Sequence, residues 1–127
     1  MIFGPQRDVL DVALQFADFF VDESCGYCTP CRVGTTLLKQ GMEKIVAGRA
    51  TLADVAATEA LANTVVRMSR CGLGQTAPNP ILTTMRSFPQ LYEARLAPDP
   101  FVPRVTLHDA LREAVEVQGR EPVAQEN

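Results

Sequence analysis

Four cysteines are the residues of this chain whose types and spacing could do chemistry. Cys25, Cys28 and Cys31 are each separated by two residues, and Cys71 lies far along the chain. Three thiols at this spacing can face one point from a single tight loop, and the remote fourth thiol can close a cage around a metal centre. Four thiolates around one centre indicate an iron-sulfur cluster or tetrahedral zinc.

Three interpretations of the cysteines are open on spacing alone. Zinc sites commonly take their ligands in two C-x2-C pairs, whereas this chain divides them three to one, which is typical of a cubane iron-sulfur cluster. Zinc in a bundle that only docks subunits is the second interpretation. Disulfides or free thiols are the third, and disulfides need an oxidising compartment. The start of the chain, Met1 to Arg7, lacks the basic and apolar pattern of a secretion signal, so we expect a cytoplasmic protein.

Composition favours one small domain and argues against two classes of partner. The 127 residues are 46% hydrophobic and only 6% aromatic, which allows a single aliphatic core. The net charge of -3 arises in the tail, because residues 97–127 hold three basic and six acidic residues. No basic cluster suggests nucleic-acid binding, and no apolar run is long enough to insert into a membrane.

Hydrophobic periodicity predicts four main helices and almost no strand. The first helix runs from about Arg7 to Val21, and the second begins after the cysteine loop near Pro30 and ends before Gly48. The third begins at a capping box in Thr51-Leu52-Ala53-Asp54 and ends near Ser69. Asn79-Pro80 predicts the start of the fourth, with Asn79 as its cap. Pro89 should kink or restart that helix, with a short helix over Gln90–Leu96.

These elements predict an all-α four-helix bundle over residues 1–97, with a cysteine loop after the first helix. Residues 98–127 form a proline-rich extension in this prediction, with a short helix from Thr106 to about Val117 and a disordered end over residues 120–127. His108, the single histidine, is predicted to be a surface residue of that short helix.

Antiparallel packing should bring the cysteine loop and Cys71 to one end of the bundle. Residues 7–23 carry five acids and residues 32–49 carry four bases, so the first two helices can pair through opposite charges or leave both faces solvated. Gly26, Gly72 and Gly74 are expected to allow close backbone approach and positive φ. Arg32 either adds positive charge near the centre or is solvated, and Tyr27 either shields the centre or packs on a partner.

One sequence motif suggests a different function. Gly72-Leu73-Gly74-Gln75-Thr76-Ala77 matches G-x-G-x-x-A, and Glu93 follows at about the distance that a dinucleotide fingerprint requires. The preceding residues continue a helical pattern and no βαβ unit fits around them, so we interpret the motif as a glycine loop that shapes the cysteine site.

Two long motifs carry a resemblance to a known family. They are Glu23-Ser24-Cys25-Gly26-Tyr27-Cys28-Thr29-Pro30-Cys31-Arg32-Val33-Gly34 and Cys71-Gly72-Leu73-Gly74-Gln75-Thr76-Ala77-Pro78-Asn79-Pro80. Over roughly residues 3–96 the chain resembles the C-terminal iron-sulfur domain of the NADH-binding flavoprotein subunit of respiratory complex I. That domain is shared by NAD-reducing hydrogenases and NAD-dependent formate dehydrogenases, and the cysteine motif and acidic extension look most like the hydrogenase diaphorase subunit.

The resemblance implies a four-helix bundle that holds one 4Fe-4S cluster on Cys25, Cys28, Cys31 and Cys71. It implies electron transfer between the flavin mononucleotide of an NADH site and further clusters, with no catalytic residue in this chain. The flavin and NAD sites would lie in an N-terminal part of the same subunit, outside these residues. That part and a neighbouring iron-sulfur subunit are the expected partners. An isolated fragment could lose its cluster, because exposed clusters are oxygen-labile.

Overall fold

The structure, a computed structural model, describes Gly4, residues 6–97, Val117 and Gly119, and most of these residues are helical. Its helices are α1 (Val9–Asp22), α2 (Thr29–Val46), α3 (Leu52–Met68), α4 (Gly72–Thr76), α5 (Asn79–Ser87) and α6 (Pro89–Glu93). Within these residues the only β-type pairing is one isolated bridge between Ala50 and Leu96. The predicted all-α class is therefore confirmed.

Four of the helices close into a ring around one core. α1 packs against α2 and α5, and α3 packs against the same two helices. Their apolar stripes are buried together, as the periodicity predicted, and the core includes Leu10, Ala13, Leu38, Met42, Ile45, Ala62, Val65 and Ile81. The predicted four-helix bundle is confirmed, with α4 and α6 as short additions to it.

Local capping residues set the helix boundaries that the sequence predicted best. Thr51 and Asp54 form a complete capping box at the start of α3, in which each side chain accepts the backbone N–H of the other residue. Gly48 ends α2 with a φ of 67°, in the left-handed region that glycine adopts without steric cost. Asp8 caps α1 by accepting the backbone N–H of Leu10 at 2.9 Å.

The structure differs from the prediction after Cys71. Gly72–Thr76 form the short helix α4 rather than a glycine turn, and neither Gly72 nor Gly74 has a positive φ, so that expectation was wrong. A single helical turn is too short to show periodicity, and glycine has low helix propensity. Its packing against α2 and α3 is what stabilises it.

Asn79 is not the cap of the following helix, although its type favours that role. It is the first helical residue of α5, and the N-cap position is held by Pro78, which makes no side-chain capping bond. Ala77 and Pro78 already have right-handed helical backbone angles, because the chain passes almost directly from α4 into α5. An N-cap residue normally has an extended backbone, whereas Asn79 already lies within the helix and therefore cannot act as its cap. Pro89 restarts the chain as α6, as predicted.

The predicted helix from Thr106 to Val117, His108 and the predicted disordered end lie outside the described residues, apart from the single positions Val117 and Gly119. The proposed domain boundary between residues 97 and 98 stays a prediction.

Arg95 joins three parts of the chain at the end of the bundle away from the cysteines. Its guanidinium forms an ion pair with Asp8, the cap of α1, and donates to the carbonyl oxygen of Val46 at the end of α2, at 2.8 Å. Beside it, the backbone N–H of Ala97 donates to the carbonyl of Ala50 at 2.8 Å. These contacts hold the residues after α6 against the start of α1, the end of α2 and the segment that joins α2 to α3.

Opposite charges also connect neighbouring helices. Nζ of Lys39 in α2 lies 2.5 Å from Oδ1 of Asp18 in α1. This ion pair confirms charge pairing between the acidic first helix and the basic second one. Lys44 lies 2.6 Å from Asp54 at the start of α3. Both pairs are open to solvent, which screens the attraction, so they favour the arrangement of the helices without dominating its stability.

Two glycines let α2 and α3 approach closely. A Cβ atom placed on Gly34 would lie 2.3 Å from Cγ2 of Val65, and one placed on Gly41 would lie 2.7 Å from Oγ1 of Thr58. Both distances are too short for real contacts, so a larger residue at either position must displace the opposing side chain or move the two helices apart.

Replacing Gly34 by alanine should therefore destabilise the chain, in contrast to the usual gain in helix propensity. We expect Gly34→Ala to lower the free energy of unfolding in urea by about 1–3 kcal/mol, the usual cost of overpacking. The control is Gly72→Ala, because a Cβ there meets no atom within 4 Å. Adding Val65→Ala, which removes the clashing methyl group, should recover part of the loss in Gly34→Ala. Equal stability of the two glycine variants would contradict the close approach.

Asp54 should make stability depend on pH in the acid range. The Lys44 ammonium, followed by the Thr51 N–H and hydroxyl, lowers the pKa of Asp54 from 3.8 to about 2. A depressed folded-state pKa stabilises the protein above the unfolded value, and this contribution is lost as pH falls through the folded value. We expect Asp54→Asn to reduce the loss of stability between about pH 4 and pH 2, measured as the urea midpoint.

The partner variant is Lys44→Gln, which removes the ammonium that contributes most to the lowered pKa of Asp54. It should also reduce the loss of stability between about pH 4 and pH 2. Parallel curves for wild type and Asp54→Asn would show that Asp54 does not carry the effect.

Candidate metal centre

The first three cysteines lie where the loop between α1 and α2 becomes helix. Cys25 is exposed in the loop, Cys28 is the half-buried N-cap of α2, and Cys31 is buried in the first turn of that helix. Pro30 occupies the second helical position, which suits its fixed φ and missing N–H. Gly26 has a φ of 73° and provides the turn between Cys25 and Cys28.

The fourth cysteine lies in the connection from α3 to α4. α3 ends at Met68, Ser69 continues in an extended conformation, and Cys71 is the exposed N-cap of α4. Because α2 and α3 run antiparallel, the start of α2 and the end of α3 are neighbours. The structure thus confirms that the two cysteine segments lie at one end of the bundle.

Contacts between Arg70 and the first loop join the two segments. The backbone N–H of Arg70, then that of Cys31, lowers the pKa of the Cys28 thiol, because both donors favour the thiolate. The Arg70 guanidinium lies over the ring of Tyr27, 5.4 Å from its centroid. Tyr27 is otherwise 75% exposed. The sequence did not predict that Arg70 links the loop to the Cys71 segment.

Cys31 lies close to the hydroxyl of Ser24 and to Gly74 of α4. Its sulfur is 3.4 Å from Oγ of Ser24. A Cβ atom on Gly74 would lie 3.1 Å from Cβ of Cys31 and 2.5 Å from Oγ of Ser69, so α4 contacts both residues through the missing side chain. The predicted close approach at Gly74 is confirmed, whereas Gly72 has open space around it.

Ser69 has a buried hydroxyl without a partner. Only 5% of the residue is exposed, and within the described structure its Oγ makes no hydrogen bond. Leaving a buried polar group unsatisfied costs about 1–3 kcal/mol. Neither serine was singled out from the sequence, although the position of each within two residues of a cysteine was an available signal.

Arg32 has a local structural role. Its Nη1 donates to the carbonyl oxygen of Gly26 at 3.0 Å, so the exposed side chain holds the turn of the cysteine loop. This contact also keeps one positive charge beside the loop.

The side-chain donors at this end of the bundle are chemically suited to a soft metal centre. All four cysteines are free thiols, and the buried, unpartnered hydroxyl of Ser69 beside Gly74 is a hydrogen-bond donor that could serve anionic sulfur at this end of the bundle. Within the described residues, no three Cys, His, Asp or Glu side chains are arranged around a common point. The assignment of Cys25, Cys28, Cys31 and Cys71 as ligands therefore stays a prediction.

The G-x-G-x-x-A motif does not occur in the context that nucleotide binding requires. It follows the helix α3 rather than a strand, its residues form α4, and Glu93 lies in α6. The contacts of Gly74 with Cys31 and Ser69 support its interpretation as part of the cysteine site.

Comparison with known proteins identifies relatives over most of the chain. The family model described as the NADH-ubiquinone oxidoreductase-F iron-sulfur binding region matches residues 11–95. The NAD-reducing hydrogenase HoxS subunit alpha of Cupriavidus necator is 42% identical over 112 residues, covering 87% of this chain and 19% of the relative. A subunit of the NADH-quinone oxidoreductase of Aquifex aeolicus is 36% identical over 93 residues, covering 73% of this chain and 22% of the relative.

Solved structures show the same fold. A crystal structure of an NAD+-reducing NiFe hydrogenase in the H2-reduced state matches with a TM-score of 0.76 and 39% sequence identity, over 97% of this chain and 21% of that chain. The chain thus spans about a fifth of the length of the relatives that it matches.

The packing of α4 can be tested through the reactivity of the thiols. In the metal-free wild type, Cys31 should be alkylated most slowly, because it is the buried thiol of the four. We expect Gly74→Ala to raise its alkylation rate several-fold, since a Cβ must displace α4 from Cys31 and Ser69. Site-resolved mass spectrometry measures each rate. Gly72→Ala is the matched control, and an unchanged Cys31 rate in Gly74→Ala would contradict the contact.

Proposed function

Because this chain belongs to the NADH-ubiquinone oxidoreductase-F iron-sulfur binding region family, whose members bind a 4Fe-4S cluster, we propose that it is an electron-transfer domain with one such cluster. When bound, a cluster of this type takes up and releases single electrons. The observation that supports the proposal is the contact of the cysteine loop with Arg70, the residue directly before Cys71.

We propose Cys25, Cys28, Cys31 and Cys71 as the four ligands. Three of them follow one another through a loop into a helix start, and the fourth comes from the α3–α4 connection. The backbone N–H groups near Cys28 lower the pKa of its thiol and favour the thiolate, which is the form that binds metal. The N-terminus of the 18-residue helix α2 adds a positive partial charge on the same side.

The role of the chain's own residues is to position, shield and tune. Cys31 and Ser69 are buried, so one side of the centre is shielded from water, whereas Cys25 and Cys71 are exposed and mark the side open to a partner. Exposure of that kind shortens the distance over which an electron must pass to another protein. No residue of this end needs to make or break a covalent bond in substrate.

We further propose that the electrons move between a flavin at an NADH site and other iron-sulfur clusters, in a complex of the NAD-reducing hydrogenase type. The hydrogenase relative supports this choice, since its identity to the chain is higher than that of the quinone oxidoreductase relative. The partners in this proposal are the flavin- and NADH-binding part of the same subunit and a neighbouring iron-sulfur subunit. Complex I and NAD-dependent formate dehydrogenase are the alternatives.

The proposed location is the cytoplasm, where clustered thiols stay reduced. In the part of the chain that the structure describes, no helix has the length and apolar character needed to cross a membrane.

Anaerobic reconstitution tests the cluster and its ligands. With iron and sulfide, the wild-type chain should take up about four irons and show visible absorption that bleaches on reduction with dithionite. Each single Cys→Ser variant at the proposed ligands should bind less iron or a less stable cluster. Ser87→Ala, a change at an exposed residue near the other end of the bundle, is the control.

Two results would overturn the proposal. One is a colourless wild-type protein that binds one zinc and takes up no iron, which would favour the docking bundle. The other is full cluster content in a Cys→Ser variant, which would remove that cysteine from the ligand set.

A further inference from the structure

The surroundings of Cys31 contain two hydroxyl groups for which the ligand set alone gives no reason. Ser24 approaches its sulfur from the loop before α2, and Ser69, at the end of α3, packs against Gly74, the glycine that also approaches Cβ of Cys31. Both belong to segments that also carry a proposed ligand. One hydroxyl in contact with the Cys31 sulfur and a second, buried hydroxyl without a partner suggest that anionic sulfur of the proposed centre is the acceptor for both protons.

The Ser24 hydroxyl lies within hydrogen-bonding distance of the Cys31 sulfur. Its Oγ accepts the backbone N–H of Gly26 at 3.3 Å and lies 3.4 Å from the Cys31 sulfur. In a thiol form, either the oxygen or the sulfur could be the donor. A metal-bound cysteine is a thiolate without a proton, so the serine hydroxyl must then be the donor.

Ser69 has its backbone groups satisfied and its hydroxyl free. Its N–H donates to the carbonyl of Val65 at 3.1 Å, and its carbonyl accepts Nε2 of Gln75 at 3.1 Å. The buried Oγ has no partner within the described structure. Gly74 packs closely against this hydroxyl. A Cβ atom at Gly74 would also lie 3.1 Å from Cβ of Cys31. An acceptor on the Cys31 side would satisfy the hydroxyl.

We propose that Ser24 and Ser69 are positioning residues that donate hydrogen bonds to anionic sulfur on the Cys31 side of the centre, and that these bonds raise its reduction potential. The inference rests on the proposed cluster function. A donor stabilises the state with more negative charge on sulfur, which is the reduced state, so removing the donor should make reduction harder.

The test is the midpoint potential of the reconstituted chain, followed by EPR during a redox titration. We expect Ser24→Ala and Ser69→Ala to retain wild-type iron content and to shift the midpoint to more negative values. Thr35→Val is the matched control, because the Thr35 hydroxyl donates at 2.7 Å to the backbone carbonyl of Cys31 and not to its sulfur. Its midpoint should equal that of the wild type.

A second measurement separates this role from a structural one. In the metal-free chain the Ser69 hydroxyl is unsatisfied, so Ser69→Ala should leave the melting temperature unchanged or raise it. A lower melting temperature of metal-free Ser69→Ala would show that the hydroxyl supports the fold itself, and would overturn its assignment.

The remaining outcomes also discriminate. Wild-type midpoints in both serine variants, or an equal shift in Thr35→Val, would overturn this inference while leaving the proposed function intact. A shift in one serine variant alone would overturn the assignment for the other serine. Failure of the wild-type chain itself to take up iron would overturn the proposed function, and this inference with it.

Discussion

The close contact of α2 with α3 is the constraint on which the rest of the structure depends. Gly34 and Gly41 are seven residues apart on α2, and their partners Val65 and Thr58 are seven apart on α3. The two contacts fix both the distance and the register of an antiparallel pair. Once that register is set, the first turn of α2 must lie beside the residues that follow α3. The cysteine loop and the Cys71 segment are neighbours for this reason, and not because of any local preference of the loop.

The two ends of the bundle differ in what holds them. At one end, the capping box of α3, the Gly48 terminus of α2 and the bonds of Arg95 satisfy backbone groups with residues of the chain itself. At the cysteine end, three thiols have solvent access and a buried hydroxyl has no partner within the described residues. A bound metal centre would therefore stabilise the cysteine end more than a bound ligand could stabilise the other end. Metal binding and local order are expected to be coupled there.

The sequence predicted structural features that depend on residues close together in the chain. It missed features that depend on contacts between residues far apart in the chain. Periodicity and caps located α1, α2 and α3, because an amphipathic stripe, a capping box and a terminal glycine are all local signals. Cysteine spacing located the candidate site for the same reason. By contrast, Gly34 and Gly41 look like unfavourable helix residues until the side chains that oppose them on α3 are known. The ion pair of Arg95 with Asp8 joins residues near opposite ends of the helical bundle's sequence, and no local sequence pattern predicts it.

The division of the proposed ligands also follows from this difference between local and distant contacts. Cys25, Cys28 and Cys31 lie within seven residues, so an unfolded chain can already bring them around one metal ion. Cys71 can join them only after α2 and α3 have packed in register. A three-thiolate site leaves one position of a cubane without a protein ligand, whereas the fourth thiolate completes it. If these four cysteines are the ligands, as proposed, the complete set forms only in the folded bundle, and its affinity for a cluster includes the free energy of packing α3 against α2.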